Sequence, residues 1–560
     1  MKNNFFKNFA AMAAATLLLA SCAKKLDLLP QNDVIPEKVY STPVGYKAVL
    51  SKIYGAMSIG GNVGPSGQPD IHGELDEGSQ IAFIRPFFNC QELPTDEAVC
   101  FWNDQTIKNY HAFSFTSTDP FLKGMYARPI WNVTLINEYL RESTDDKLAA
   151  RNITGADADA IKKSRSEIRF LRAFNYWVMM DLFGKSTFLP EEYGIANDAT
   201  PPEISRKDLY RYIMNELKAI ENTMVTAKTI EYGRVDQAAN WALQARIYLN
   251  ANVYLNASNT ANYDSAITYS QKVIAAGYQL NQTTYNGYSG YDQLFLADND
   301  KRTNEIIWAI TCDGVKTKGY GNTTFLVNAP SGDDKFTDYF KGTSGAGWKG
   351  YVATKNLSNL FPDPTGATDK RANFVTSKYG VGSVQVELPN PTNISEVNYA
   401  DLSSGVHVNK WRNMRSDSAE INDVIDRTFA DVDFPIFRLS EMYLIYAESV
   451  LRGGNGNSGT SLQYVNNIRT RAYAGSTSGN ITAAQLTLQY VLDERGRELY
   501  WEGHRRTDLI RYGLLTSGTY LWPWKGGVAS GTTVDSKYNL FPIPSSARNA
   551  NPNLTQNTGF

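Results

Sequence analysis

Histidine and cysteine are scarce in this 560-residue chain, four of each, and neither is spaced for chemistry. His72, His111, His407 and His504 are scattered, with no H-E-x-x-H pair to hold zinc on one helix face. No C-x-x-C spacing occurs; apart from Cys22, the three residues Cys90, Cys100 and Cys312 allow at most one disulfide and require none. Gly-x-Ser-x-Gly and Walker A motifs are missing, so triad hydrolysis and P-loop nucleotide chemistry have no sequence basis. Basic blocks are missing as well. The 55 Lys and Arg against 57 Asp and Glu give a net charge of -2, and without a clustered cationic footprint nucleic acid is excluded as a partner. Gly345-x-Gly347-x-x-Gly350 matches a dinucleotide fingerprint formally, but no βαβ pattern surrounds it and Trp348 sits inside it, so it reads as a loop. Glu498 and Glu502 would make a carboxylate pair suited to glycoside hydrolysis. Four arginines on the same segment, Arg495, Arg497, Arg505 and Arg506, point instead to structural ion pairs.

Beyond the N-terminus no apolar run is long enough to span a bilayer. At the N-terminus itself, Lys2 and Lys7 form a basic start, Phe9 to Ala20 an apolar run too short for a spanning helix, and Leu19-Ala20-Ser21-Cys22 a small-residue site ending in cysteine. This is an export signal of the lipobox kind. Cys22 is expected to take the lipid, become the first residue of the mature chain and anchor it to a membrane. An ordinary signal peptide would leave Cys22 without a role, whereas charge, length and small residues all favour the lipobox.

The remainder is 42% hydrophobic over the full chain, ample for a large core, and helices carry most of the order. Residues 22–35 read as a tether. Pro36 opens a helix with Val39, Tyr46, Val49, Leu50, Ile53 and Met57 at helical spacing. Ser164 to Phe183 is apolar on several faces and ends at Gly184, the pattern of a central buried helix; Trp177, like Trp241, sits on an apolar helix face and is expected to be core. Two helix pairs follow, Trp241 to Leu255 with Tyr263 to Ala276, and Leu439 to Leu451 with Leu462 to Arg471, spaced like degenerate tetratricopeptide repeats. A last helix is expected over Gln485 to Tyr512. Residues 312–429 are rich in Gly, Asn, Asp, Thr and Pro, which marks a loop-built functional face. Asp298-Asn-Asp300 and Asp431-Val-Asp433 are alternating acidic pairs. If they converge, Asp300, Asp431 and Asp433 supply oxygen ligands suited to a structural calcium ion; no other cofactor is expected.

Three stretches carry a resemblance: Ser-Arg-Ser-Glu-Ile-Arg-Phe-Leu-Arg-Ala-Phe at 164–174 with Asp-Leu-Phe-Gly at 181–184, Phe-Pro-Ile-Phe-Arg-Leu-Ser-Glu-Met-Tyr-Leu-Ile-Tyr-Ala-Glu at 434–448, and Glu-Arg-Gly-Arg-Glu-Leu-Tyr-Trp-Glu-Gly-His-Arg-Arg-Thr-Asp-Leu-Ile-Arg-Tyr-Gly at 494–513. Together with the lipobox and the closing Asn-Pro-Asn-Leu-Thr-Gln-Asn at 551–557, the chain resembles the SusD/RagB outer-membrane nutrient-binding lipoproteins from Cys22 to Phe560. The resemblance implies a mostly α fold, a SusD-like helical scaffold with degenerate tetratricopeptide repeats and a loop-rich ligand-binding face. It also implies a division into residues 36–230 and 231–560, with 312–429 as an insertion in the second part. The implied activity is binding, not catalysis, at the cell-surface side of the outer membrane, with a SusC-like TonB-dependent transporter as partner.

Phe-Asn-Cys-Gln-Glu-Leu-Pro-Thr-Asp-Glu at 88–97 and Tyr-Leu-Trp-Pro-Trp-Lys-Gly-Gly at 520–527 resemble the starch-binding type of that family, which implies α-glucan or malto-oligosaccharide as ligand. The same resemblance implies an aromatic arc of Trp102, Tyr320 and Trp348, flanked by Asp76, Arg85, Asn103 and Gln105. Two positions depart from the pattern: Cys100 stands for a second Trp and Ile84 for a Tyr. The arc also makes chemical sense by itself, since a pyranose presents an apolar C–H face and a rim of hydroxyls that flat aromatics and planar polar groups satisfy together. A different glycan or a peptide on the same scaffold, and a secreted glycoside hydrolase, are the competing readings.

Overall fold

The computed structural model describes residues 36–65, 69–71, 75, 80–104, 106–193, 200–331, 342, 347–348, 350–375, 378–381, 384–387, 406–417 and 428–560. The expected export signal with Cys22, and the expected flanking residues Asp76 and Gln105, lie outside the described residues.

Proline divides the first helical stretch. The spacing from Pro36 to Met57 predicts one helix, but the chain makes a short turn, Pro36–Val39, and restarts as Pro43–Gly55. Pro43 has no N–H to continue a helix, while it suits a first turn. Thr42 caps the new start, its hydroxyl accepting the Gly45 N–H at 3.2 Å.

The central helix runs Gly155–Phe183, and every side chain from Phe170 to Phe183 is buried. A helix buried all round sits at the centre of its domain, and Trp177 is core as expected. It stops at Gly184, whose φ of +76° excludes most other residues and where an added Cβ would approach the Leu540 side chain to 2.9 Å. It is one of a series in which the helices Pro120–Glu142, Gly155–Phe183, Arg206–Ile220, Gln237–Tyr254, Ala261–Ala275, Leu439–Leu451 and Ser458–Ala472 pack each on the next. This is the nearest-neighbour order of a repeat solenoid, and the fold is the mostly helical one the sequence predicts.

Two helices adjacent in that stack, Ala261–Ala275 and Leu439–Leu451, are separated in sequence by the loop-rich part of the chain. An antiparallel ladder closes the base of this excursion, pairing Ile306–Ile310 with Phe434–Arg438 so that Phe434 faces Ile310 and Arg438 faces Ile306. All ten residues are buried.

The helix expected over Gln485 to Tyr512 is two helices, Leu488–Leu499 and Arg505–Arg511. Trp501 and Gly503 between them take φ of +60° and +81°, which no helix tolerates. Buried carboxylates hold this break. Glu92 accepts the Gly503 N–H at 2.7 Å and Glu97 accepts the Trp501 N–H at 3.1 Å.

Candidate ligand-binding site

A short antiparallel pair, Val99–Cys100 against Tyr351–Val352, brings the two halves of the site together. Immediately after Cys100 the chain emerges from the core at Trp102, and immediately before Tyr351 it passes through Trp348 and Gly350. The indole N–H of Trp102 donates to the Trp348 carbonyl at 2.9 Å. Gly350 makes room for this: a Cβ there would lie 2.0 Å from the Trp102 ring. Of the glycines that imitate a dinucleotide fingerprint, Gly350 therefore serves close packing of an aromatic loop, and Gly345 lies outside the described residues.

Three rings then follow one another across the face. Trp102 and Trp348 have centroids 6.3 Å apart at 45°, Tyr320 and Trp348 6.0 Å apart at 56°. The arc implied by the resemblance is thus assembled, with Trp102 and Trp348 half-buried and Tyr320 36% exposed. Phe429 extends it, 5.3 Å from Tyr320; nothing in the sequence singled out that residue, because one Phe at the end of a polar loop has no pattern to read. Beneath the arc Tyr351 meets Trp102 edge-on at 5.1 Å and donates to Asn89 at 2.8 Å.

Arg85 lies under the arc, its guanidinium 5.3 Å from the Trp102 ring and 4.9 Å from Phe325. Its backbone N–H is fixed on the Gly321 carbonyl at 3.0 Å. Among the described residues its Nε meets no acceptor although the side chain is buried, so it keeps hydrogen-bonding capacity beside the aromatic face. Asn103 is exposed and accepts from Lys108 Nζ at 2.6 Å. Ile84 and Cys100, the two departures, are 0% and 2% exposed and belong to the core.

The two stretches shared with the starch-binding type prove to brace each other behind the site. Residues 88–97 are wholly buried. Asp96 takes a bidentate pair from Arg505 at 2.7 and 2.8 Å and also accepts from the Tyr520 hydroxyl. Trp524 packs on Val99, Phe101 and Val352, the strands that deliver the arc.

The acidic residues share a neighbourhood. Burial, with repulsion from Asp300 and Asp431, pushes the Asp433 carboxyl up to about 7. Asp433 accepts the Cys312 N–H at 2.7 Å and Asp431 the Gly314 N–H at 2.9 Å. Among the described residues no three His, Cys, Asp or Glu are gathered as a ready-made metal site.

Glu498 and Glu502 are buried and ion-paired, but not to the arginines of their own segment. Glu498 accepts from Arg438 at 2.5 Å and Arg371 at 3.1 Å, and is paired to Arg471; Glu502 accepts from Lys410 at 2.6 Å and Arg438 at 2.7 Å. Burial opposes ionisation of Glu498, yet Arg471, Arg438 and Arg371 hold its carboxyl well below the usual range. A glycosidase acid needs the opposite shift. Arg495 and Arg511 pair with Asp508, and Arg505 with Asp96. The three cysteines Cys90, Cys100 and Cys312 are free and buried.

Comparison with known proteins agrees with this architecture. The model of the SusD family matches residues 304–560. The starch-binding protein SusD of Bacteroides thetaiotaomicron is 34% identical over 599 aligned residues, covering 100% of both chains. SusD-like protein P25 of Formosa agariphila is 22% identical, covering 96% of this chain and 95% of its own. Among solved structures, a SusD-like protein from Bacteroides fragilis superimposes with a TM-score of 0.68 at 17% identity, covering 95% of this chain and 100% of its own. Surface glycan-binding protein A from Bacteroides uniformis does so with 0.64 at 17%, covering 92% and 99%.

Proposed function

This chain belongs to the SusD family, and from that premise we propose that it is a cell-surface glycan-binding lipoprotein that captures starch or malto-oligosaccharides and passes them to a TonB-dependent outer-membrane transporter. The observation that carries the reading is the continuous arc of Trp102, Trp348 and Tyr320, which offers mutually tilted aromatic faces with neighbouring centroids 6.3 and 6.0 Å apart beside the guanidinium of Arg85. Flat rings take the C–H faces of successive sugars while the planar cation serves their hydroxyls. The full-length relative named as starch-binding supports α-glucan as the ligand. Asp76 and Gln105 would complete the polar rim, and lipid on Cys22 would hold the protein at the outer membrane.

The purified protein is expected to be retarded by amylopectin in native gels and to release no reducing ends from it. Release of reducing sugar would favour the hydrolase, and retardation by another glycan alone would transfer the same arc to that ligand.

A calcium ion belongs to the same reading. Asp300, Asp431 and Asp433 are not gathered as a metal site in this structure, so the ion would have to draw them together, and its charge would offset the burial and the repulsion that raise Asp433. Chelator treatment should lower the melting temperature, and added calcium but not magnesium should restore it. An identical melting curve with chelator and with calcium would remove the ion from the description.

A further inference from the structure

A second concave site lies on the helical side of the molecule, a cavity of about 360 Å³ between residues 278–283 and the helices Leu439–Leu451 and Ser458–Ala472. It shares no residue with the aromatic arc. Five carboxamides line it, Gln279, Asn281, Gln282, Asn304 and Asn467, with the phenols of Tyr278 and Tyr443. No Asp, Glu, Lys, Arg or His contributes to the lining. The carboxylate beside Asn304, Glu305, is buried and paired with Arg438 and Arg471.

The walls are fixed by the backbone. The Gln279 N–H donates to the Asn304 carbonyl at 2.8 Å, the Asn281 N–H to Glu305 at 2.6 Å, and Gln293 donates to the Thr283 carbonyl at 2.6 Å. Tyr443 is held by parallel stacking on Tyr464, centroids 4.4 Å apart. By contrast the side chains of Gln279, Gln282 and Asn304 stand exposed at the rim. A preformed pocket with free carboxamides is poised for a ligand that donates and accepts together.

We propose that this cavity is a second carbohydrate site, for one or two residues of a neutral glycan. A lining without formal charge gives an ionic ligand no counter-charge. The exposed carboxamides of Gln279, Gln282 and Asn304 match vicinal hydroxyls, each giving donors and an acceptor, while the Asn281 amide already donates to the Gly290 carbonyl at 2.9 Å, and Tyr443 supplies apolar edge for the C–H face. A volume near the lower end of ligand pockets, roughly 300 Å³ and upward, suits a short unit and not a long chain. A polysaccharide engaged at the arc would thus have a second hold elsewhere on the scaffold.

The test is ligand-observed saturation-transfer NMR on the full mature chain with the arc disabled by Tyr320→Ala and Trp348→Ala. The probes are maltoheptaose, cellohexaose, xylohexaose and mannohexaose. At least one should still receive transfer, and adding Gln282→Ala with Asn304→Ala, both at exposed side chains, should cut that signal at least tenfold while leaving the melting temperature unchanged. No transfer to any probe in the arc-disabled protein overturns the second site, whatever the intact protein binds. Transfer that survives the Gln282 and Asn304 changes overturns it equally. Amylopectin binding by the intact protein reads the arc separately, so the two proposals fail independently.

Discussion

Trp348 has two attachments of different kind, a side chain facing the arc and a backbone carbonyl that accepts the Trp102 indole N–H. Replacing only the side chain separates them. Trp348→Ala should keep the carbonyl and hence the Trp102 position, and cost about 1–3 kcal/mol of glycan binding by analogy with aromatic stacking on other ring ligands, with little change in melting temperature. Gly350→Ala should do the reverse kind of damage. Its Cβ would stand 2.0 Å from the Trp102 ring and drive the indole off its seat, so calorimetry should find binding lost together with some stability. Equal affinities for both variants and the native protein would place the ligand elsewhere. At this scale the sequence was legible in part. That Trp102, Trp348 and Tyr320 adjoin could be read through family motifs, because ring type and loop context survive as text, but the place of Phe429 beside them could not, since it depends on where a distant loop folds back. Cys100 and Ile84 read as departures from the site, and the structure makes them core, where a smaller or apolar side chain does no harm.

Elements were more legible than their ends. The central helix, both repeat pairs and the loop-rich excursion follow from apolar spacing and composition, which local physics enforces. The breaks at Tyr40–Thr42 and at Tyr500–His504 did not show: the first needed weight on Pro43, and the second depends on Glu92 and Glu97, some four hundred residues upstream. That second break has a measurable consequence. Burial pushes the Glu97 carboxyl up to about 7, Arg505 opposing and Asp96 adding, and burial with repulsion from Glu97 raises Glu92. Both hold their protons more tightly folded than unfolded, where Glu titrates near about 4.3. Their contribution is whole below that pH and is lost as pH rises toward 7, at up to about 1.4 kcal/mol per pH unit for each group. Urea denaturation between pH 5 and 7.5 should therefore show a downward slope that Glu92→Gln flattens, since the amide needs no proton to remain neutral. A variant as steep as the native protein would mean the pair is not the source.

The whole molecule is a helical stack carrying a loop-built face on one side, and its logic is that of a receptor. No helix among the described residues is long and apolar enough to cross a membrane, and the described strands pair only two by two. A polar oligosaccharide crosses a bilayer only through spanning helices or a closed barrel. Capture at the proposed arc would thus be useful to a cell if a pore stood next to it. The proposed partner, a TonB-dependent barrel of the SusC type, supplies one, and the aromatic face would be turned toward its lumen so that release from the arc is entry to the channel. Such a lid must stay with its pore through many cycles of loading. Interfaces of that lasting kind bury more than about 2,000 Å² and survive detergent. Affinity purification of this protein from solubilised outer membranes should bring down one large barrel protein in near-equal amount. Recovery of this protein alone, under conditions that keep other outer-membrane complexes intact, would leave a receptor that gathers glycan at the surface without being the lid of a transporter.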